Sequence, residues 1–394
     1  MTSSSSTSSK KKVDSHILRK YELSEIIGEG AYGIVWKATE KKTRKVVALK
    51  KVFDAFRNST DSQRTYREVM LLLNLSHTNI VKLNNVYRAK NDLDFYMIFE
   101  YIESNLHSVI RAGILEEIHQ RYIIYQLCKV LKYLHAGHLI HRDIKPANIL
   151  IDTHCKLTLA DFGLARTIKS LGAKDTVFTE YIASRWWRAP EILTGCKQYA
   201  PAVDMWAVGC VLGEMILGKP LFRGTSTVNQ LQRILQYIPK PTQTEINSID
   251  SDHLDSMLKM MHLDEESKPL TDLLPRASKE CIDFVQKLLI FDPAKRMTAE
   301  DTLKHPYLAE FHKTSSETVM SKDIRLYYND DVRYKTNDYR ERLYHVIRQL
   351  RRKRRKKQEA AKKSNDATTN GTSASSTQRM SSTGVTSSSR RVKK

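Results

Sequence analysis

Long apolar runs are missing from this chain of 394 residues. Its most apolar stretch, residues 207–217, falls far short of the roughly 20 residues that cross a bilayer as a helix, so no transmembrane segment is expected. No apolar signal segment opens the sequence, and Thr2 stands where myristoylation requires glycine. A cytoplasmic and nuclear location is the expectation. Cysteine is scarce: Cys128, Cys155, Cys196, Cys210 and Cys281 are odd in number, and their spacing suits neither a zinc site nor a disulfide framework. Reduced, mostly buried thiols are expected. Acidic residues are also short, 44 against 65 Lys and Arg, but the imbalance is local. Residues 342–394 hold sixteen Lys or Arg against two Asp or Glu, so +14 of the net +21 sits in a tail. Such a tail bears on partners and location, not on the fold. The rest, 41% apolar and 28% charged over the whole chain, has the makeup of a soluble globular protein with room for a large core.

What is present concentrates in residues 141–148, His-Arg-Asp-Ile-Lys-Pro-Ala-Asn. Pro146 argues against a helix here. A loop that gathers Asp143, Lys145 and Asn148 offers a base for a hydroxyl, a cation for a phosphoryl group in transfer and an oxygen ligand for a hard metal ion. Upstream, the strand-like residues 21–27 lead into Gly28-Glu29-Gly30-Ala31-Tyr32-Gly33 and a second strand beginning Ile34-Val35-Trp36. Glycines at that spacing let the backbone approach a phosphate closely. Val46-Val47-Ala48-Leu49-Lys50 reads as a buried strand ending in an ammonium that needs an anion. Glu68, on the helical pattern of residues 61–75, can supply part of it. Residues 118–135 have helical periodicity and lead into the loop at His141, and Asp161-Phe162-Gly163 follows two short strands.

In this order and at these distances the motifs, with Ala189-Pro190-Glu191, Arg296, Asp204-Met205-Trp206 and His305-Pro306-Tyr307, make residues 20–350 resemble a protein kinase. The resemblance implies an α+β, bilobal protein-kinase fold with a small β-rich N-lobe and a larger helical C-lobe. It implies a kinase domain over 21–307 (N-lobe to about 99, hinge 100–105, C-lobe 106–307) and an extension over 308–350 packing on the kinase; by composition, the Ser/Lys-rich leader over 1–20 and the basic, Ser/Thr-rich tail over 351–394 cannot bury enough apolar surface and are expected to be disordered. Asp143 would accept the proton of a substrate hydroxyl while Lys145 steadies the γ-phosphoryl group. ATP would be held by Ile27, Gly28, Glu29, Gly30, Ala31, Tyr32, Gly33, Ile34 and Val35, by Lys50 with Glu68, and at the hinge by Glu100 and Ile102. Asn148 and Asp161 would hold Mg2+. Phe99 would close the back of the nucleotide pocket, and Arg296 would pair with Glu191.

Thr179-Glu180-Tyr181, followed by Ser184-Arg185-Trp186-Trp187-Arg188, is similar to the dual-phosphorylation lip of a mitogen-activated protein kinase. Residues 239–274 resemble the extra helices of that group, and residues 51–57, 224–227 and 339–344 its atypical extracellular-signal-regulated kinase branch. By this resemblance Arg67, Arg142 and Arg166 clasp phosphorylated Thr179, and Arg185 and Arg188 take phosphorylated Tyr181. The resemblance also implies protein substrates with Ser or Thr followed by Pro, and activation by an upstream kinase or by self-phosphorylation. Trp187 and Ser184 depart from the usual tyrosine and threonine beside the pocket for the residue after the phosphoacceptor. Ordering backbone costs about 1 to 2 kcal/mol per residue, against about 1.5 to 3 kcal/mol per hydrogen bond to a charged group. One phosphate therefore cannot order all of residues 163–189, and partial order beforehand is expected.

After the domain, residues 338–350 read as a helix with Asp338 as N-cap and Glu341 as its capping-box partner. Residues 351–357 are seven consecutive cations without interleaved aromatics, which disfavours base stacking. They suit nuclear import or another anionic partner.

Overall fold

The computed structural model describes residues 11–168, 182–196, 200–261, 266–324, 326–330 and 332–370. Thr179 and Tyr181 lie outside the described residues. Structure starts earlier than the sequence suggests. The leader expected to be disordered through residue 20 forms a short helix, α1 (Ser15–Leu18); its Ile17 and the preceding Val13 are buried in one apolar cluster with Ala89, Tyr96 and Ile98. Two apolar side chains in a polar stretch suffice because the outer face of a sheet is waiting for them. The backbone is also tied, with Asp14 N donating to Tyr96 Oη at 3.1 Å and Lys51 Nζ donating to Lys12 O at 3.0 Å.

That sheet is antiparallel, in the order β1 (Tyr21–Gly30), β2 (Gly33–Glu40), β3 (Val46–Val52), β5 (Phe95–Glu100), β4 (Leu83–Arg88). Strand β4 starts at Leu83; upstream of it, Ile80 makes an isolated parallel bridge to Leu159. Alternation along β3 turns Val47 and Leu49 into the core with α1, leaving Ala48 and Lys50 for the other face. Register sets Lys50 opposite Val35 on β2 and Met97 on β5, so it sits mid-sheet. Helix α2 (Ser59–Asn74) crosses this lobe, capped by Asn58, whose side chain accepts from Asp61 N.

Past the hinge come β6 (Ser104–Asn105), α3 (Leu106–Ala112) and α4 (Glu117–Ala136). The chain then enters β7 (Leu139–Ile140), the loop at 141–148, β8 (Ile149–Ile151), β9 (Leu157–Leu159) and β10 (Arg166–Thr167); β10 returns to pair with β7, and β6 pairs with β8. Pro146 does not forbid all helix: it opens a single 3-10 turn over Pro146–Asn148, where a missing first N–H costs nothing. Helices α5 (Pro190–Leu193) and α6 (Ala202–Leu217) follow, the latter almost entirely buried. Next are α7 (Thr227–Leu235), α8 (Gln243–Ser248), α9 (Leu254–Met260), α10 (Leu270–Leu273), α11 (Lys279–Leu288) and α12 (Ala299–Leu303), so the 239–274 segment does carry extra short helices. A small β-rich lobe and a larger helical one are the α+β bilobal arrangement the sequence implies. No described helix is long and apolar enough to cross a membrane, and none of the five cysteines is in a disulfide.

Contacts divide the chain into one unit through Glu341 and a second from Arg342 on. The last helix, α13 (Thr336–Asn370), begins before Asp338 and runs far beyond residue 350. Asp338 is therefore inside the first turn and not its N-cap; its Oδ2 reaches back to accept from Lys335 N at 3.0 Å. In the second unit residues 351–370 are helical, where the sequence reading has disorder. Arg, Lys, Gln, Glu and Ala favour helix, and no Gly or Pro interrupts them before Gly371.

Candidate active site

The glycine-rich turn joins β1 and β2 with Gly30 opposite Gly33. A Cβ on Gly33 would lie 2.4 Å from Lys51 O, so the hairpin can press onto β3 only if residue 33 is glycine. Gly30 has nothing within 4 Å of such an atom, so space is open beside its backbone. Beneath it, Lys50 Nζ donates to both oxygens of Glu68, at 2.9 and 3.1 Å. Burial pulls the Lys50 ammonium toward losing its proton, but Glu68 and Asp161 outweigh it and hold it above its ordinary value.

Asp161 adopts a left-handed backbone (φ 60°) at the head of a 3-10 turn over Phe162–Leu164. Burial would raise its carboxyl; Lys50, Arg64, Lys145 and His141 reverse that and hold it down to about 2. Arg64 is a residue that sequence reasoning missed. Four positions before Glu68 on α2, it brings Nη2 to 3.7 Å from Asp161 Oδ2 and lays its guanidinium 5.0 Å from the Tyr32 ring of the glycine-rich turn.

The 141–148 loop is built from its backbone outward. Arg142 also has a left-handed backbone (φ 68°), an expensive conformation for a side chain with a Cβ. Asp204, in the first turn of α6, holds it: its carboxylate accepts from His141 N at 2.9 Å and Arg142 N at 2.8 Å, with His135 Nε2 at 3.0 Å. Sequence inspection registers Asp204 only as the opening of a helix. His141 Nδ1 accepts from Asp143 N at 3.3 Å, so its proton is on Nε2, which donates to Ala160 O at 3.1 Å. Its ring also meets Phe162 edge-on, with centroids 4.9 Å apart. One imidazole thus couples the loop to the residues around Asp161.

Asp143 is buried, and both of its donors take one oxygen: Lys145 Nζ at 2.8 Å and Asn148 Nδ2 at 2.9 Å from Oδ2. Among the described residues Oδ1 has no donor. Asn148 Nδ2 also donates to Asp143 O at 2.8 Å, which leaves the amide oxygen of Asn148 for other duty. Among the described residues no cluster of three or more His, Cys, Asp or Glu could hold a metal unaided. The Asp161 carboxylate and the Asn148 carbonyl are nevertheless the hard oxygen donors suited to a divalent cation that takes its remaining ligands from water and phosphates, so the residues present fit such an ion. Asp161 feels the charges of both Lys50, which Glu68 holds, and Lys145, which pairs with Asp143 beside Asn148, so these six groups share one neighbourhood.

Residues 21–308 match the family model for the protein kinase domain. The chain belongs to the protein kinase family. Within it, the kinase is 48% identical over 340 residues to mitogen-activated protein kinase 15 of Xenopus laevis, 49% over 339 to extracellular signal-regulated kinase 2 of Dictyostelium discoideum and 48% over 342 to mitogen-activated protein kinase 15 of Caenorhabditis elegans. Each match spans 85% of this chain, and respectively 58%, 92% and 73% of the relative. These relatives place it among the serine/threonine mitogen-activated protein kinases, in the atypical extracellular-signal-regulated kinase branch. Membership brings ATP binding with a divalent metal, protein substrates and upstream regulation in general terms.

In the kinase, the arginines expected around a phosphorylated lip converge on residues 163–166. Arg67 Nη1 donates to Gly163 O at 3.0 Å, and Arg142 Nη1 lies 3.5 Å from Leu164 O. Arg67 is already engaged, its Nε and Nη2 taking the Asp330 carboxylate at 2.7 to 3.0 Å, and Arg166 Nε lies 3.6 Å from the same carboxylate. Arg185 Nη1 donates to Thr225 O at 3.2 Å. Trp187 Nε1 donates to Glu214 Oε2 at 2.8 Å, a bond available to indole or to phenol. Glu191 takes Arg296 in a buried bidentate pair at 2.6 and 2.7 Å, as expected from the sequence. At the hinge, Glu100 Oε1 accepts from Lys82 N at 3.0 Å, so its side chain is turned to β4's approach and only its backbone is left for a nucleotide.

Proposed function

We propose that the kinase transfers the γ-phosphoryl group of ATP to serine or threonine hydroxyls followed by proline, with Asp143 as the group that orients and receives the hydroxyl proton. The observation that carries this is the one-sided solvation of Asp143: Lys145 and Asn148 both take Oδ2, which leaves Oδ1 as the acceptor for an incoming hydroxyl. Lys145, two residues on and bridging to that carboxylate, is suited to neutralise a phosphoryl oxygen during transfer. Lys50, held by Glu68, suits the α- and β-phosphates, under a backbone turn from Ile27 to Val35. Mg2+ on Asn148 and Asp161 would supply charge neutralisation to the phosphates. The low carboxyl of Asp161 keeps that ligand ionised throughout the physiological range.

Activity rises on phosphorylation of Thr179 and Tyr181, by an upstream kinase or by the protein itself. Support comes from the cluster of Arg67, Arg142 and Arg166 at the start of the lip, with Arg185 and Arg188 at its far end. Thr179→Ala is expected to lose most of the turnover, and wild-type turnover by that variant would refute the switch. The exposed cations Arg351, Arg352, Lys353, Arg355 and Lys356 support nuclear entry or docking on another anionic partner, giving a cytoplasmic and nuclear protein. Incubation with ATP and magnesium, site mapping on the lip, and paired peptides carrying Ser-Pro or Ser-Ala test the reading together. Equal rates on the two peptides would remove the proline preference while leaving the kinase.

A further inference from the structure

Helix α2 works on two sides. Toward the cleft, Glu68 holds Lys50 and Arg64 reaches Asp161. On its outer side Gln63, Tyr66 and Arg67 meet the segment after the C-lobe. Gln63 Nε2 donates to Asp330 O at 2.9 Å, Tyr328 N donates to Tyr66 Oη at 3.2 Å, and the Tyr66 ring lies 5.4 Å from both Tyr328 and Tyr339. At the centre is the Asp330 carboxylate, which takes the Arg67 guanidinium through two nitrogens and has Arg166 at 3.6 Å. The remaining Arg67 nitrogen donates to Gly163 O, two residues after Asp161. Arg67 and Asp330 are 2% and 7% exposed.

A guanidinium cannot shed its charge. Without Asp330, Arg67 would be a buried cation facing Arg166 with no paired anion among the described residues, and relief would come from turning α2 so that Arg67 reaches water. Glu68 is the next residue on that helix, and the same turn would draw it off Lys50. We infer that Asp330 is a positioning residue for phosphoryl transfer: it supplies, before the lip is phosphorylated, the negative charge that locks α2 with the Lys50–Glu68 pair formed. It acts as an anchor and not as a brake. A phosphate on the lip brings about −1.5 to −2 charges to the same arginines and can take over this task; that part rests on the proposal that Thr179 is phosphorylated.

The test uses the full chain, treated with phosphatase, in Asp330→Asn and Asp330→Glu forms, with melting temperatures recorded to establish folding. D330N lowers kcat about tenfold, equivalent to about 1.4 kcal/mol, and D330E restores most of it. After lip phosphorylation D330N comes within about twofold of phosphorylated wild type, which a packing defect alone would not do. Hydrogen exchange over residues 59–74, read at a temperature where each variant is folded, rises in D330N and returns to the wild-type level in D330E. If D330N is as active as wild type or more active, or if D330E is as impaired as D330N, the inference fails. If D330E rescues but lip phosphorylation does not, the anchor stands and the reading of Thr179 fails.

Discussion

Glu214 gives a prediction whose size follows from its surroundings. It lies in α6 with 2% of its surface exposed, and among the described residues its side chain is bonded only by Trp187 Nε1, at 2.8 Å. Burial raises its carboxyl from 4.5 to about 7, and the indole bond only partly opposes this. In the unfolded chain the same group ionises near its ordinary value. Below that value both states are protonated and the group has no effect. As the pH rises, the unfolded chain loses its proton first while the folded protein must keep the carboxyl neutral. Stability therefore falls until the pH passes about 7, beyond which the loss is constant. At about 1.4 kcal/mol per pH unit the gap corresponds to roughly 3 kcal/mol. Glu214→Gln keeps an acceptor for Trp187 and removes the titration. Urea unfolding at about pH 8 should find the variant more stable than wild type by up to roughly 3 kcal/mol, with the difference shrinking toward about pH 5. Parallel pH profiles for the two proteins would refute the reasoning.

Other perturbations follow from the same contacts. Glu191→Gln strands the buried Arg296 charge, which the carbonyls of Ile290, Phe291 and Ala202 only partly satisfy; a loss of about 3 kcal/mol in urea unfolding is expected. Replacing both Glu191 and Arg296 with apolar residues should recover much of that loss. Asp204→Asn leaves one oxygen for the N–H groups of His141 and Arg142. Because this loosens the loop without touching ATP, kcat should drop about tenfold with little change in KM. Lys50→Met removes the cation beneath the glycine-rich turn and leaves Glu68 buried without its partner; steady-state kinetics should show kcat lower by about 10²-fold or more.

Residues whose task is met within a short string were legible: the glycine-rich turn, Asp143 with Lys145 and Asn148, and Asp161 each announce themselves. Lys50 and Glu68 could be paired because a buried strand lysine demands an anion and α2 offered one on the right face. Asp330 could not be read in this way. It meets Arg67 across 263 positions, and no periodicity marks an aspartate in an irregular segment as the partner of a helix arginine. Arg64 did leave a signal, its spacing of four from Glu68, and Asp204 left a weaker one, an acid in the first turn of an apolar helix. The leader was misjudged because composition averages out Val13 and Ile17, while folding depends on whether two apolar groups find a matching surface. The difference at residues 351–370 is of the opposite kind: a basic, Ser/Thr-rich composition was read as disorder, while its Arg, Lys, Gln, Glu and Ala residues favour the helix found there.

The account rests on phosphoryl transfer centred on Asp143, and the most direct measurement is phosphate transfer from ATP, with magnesium, to a Ser-Pro peptide by wild type and by Asp143→Asn at matched concentration and confirmed fold. The side chains at 143, 145 and 148 keep their shape in that variant, but the acceptor for the hydroxyl proton is gone. Wild type should phosphorylate the peptide, and D143N should be slower by about 10²-fold or more. Turnover by D143N within a few-fold of wild type would contradict the assignment.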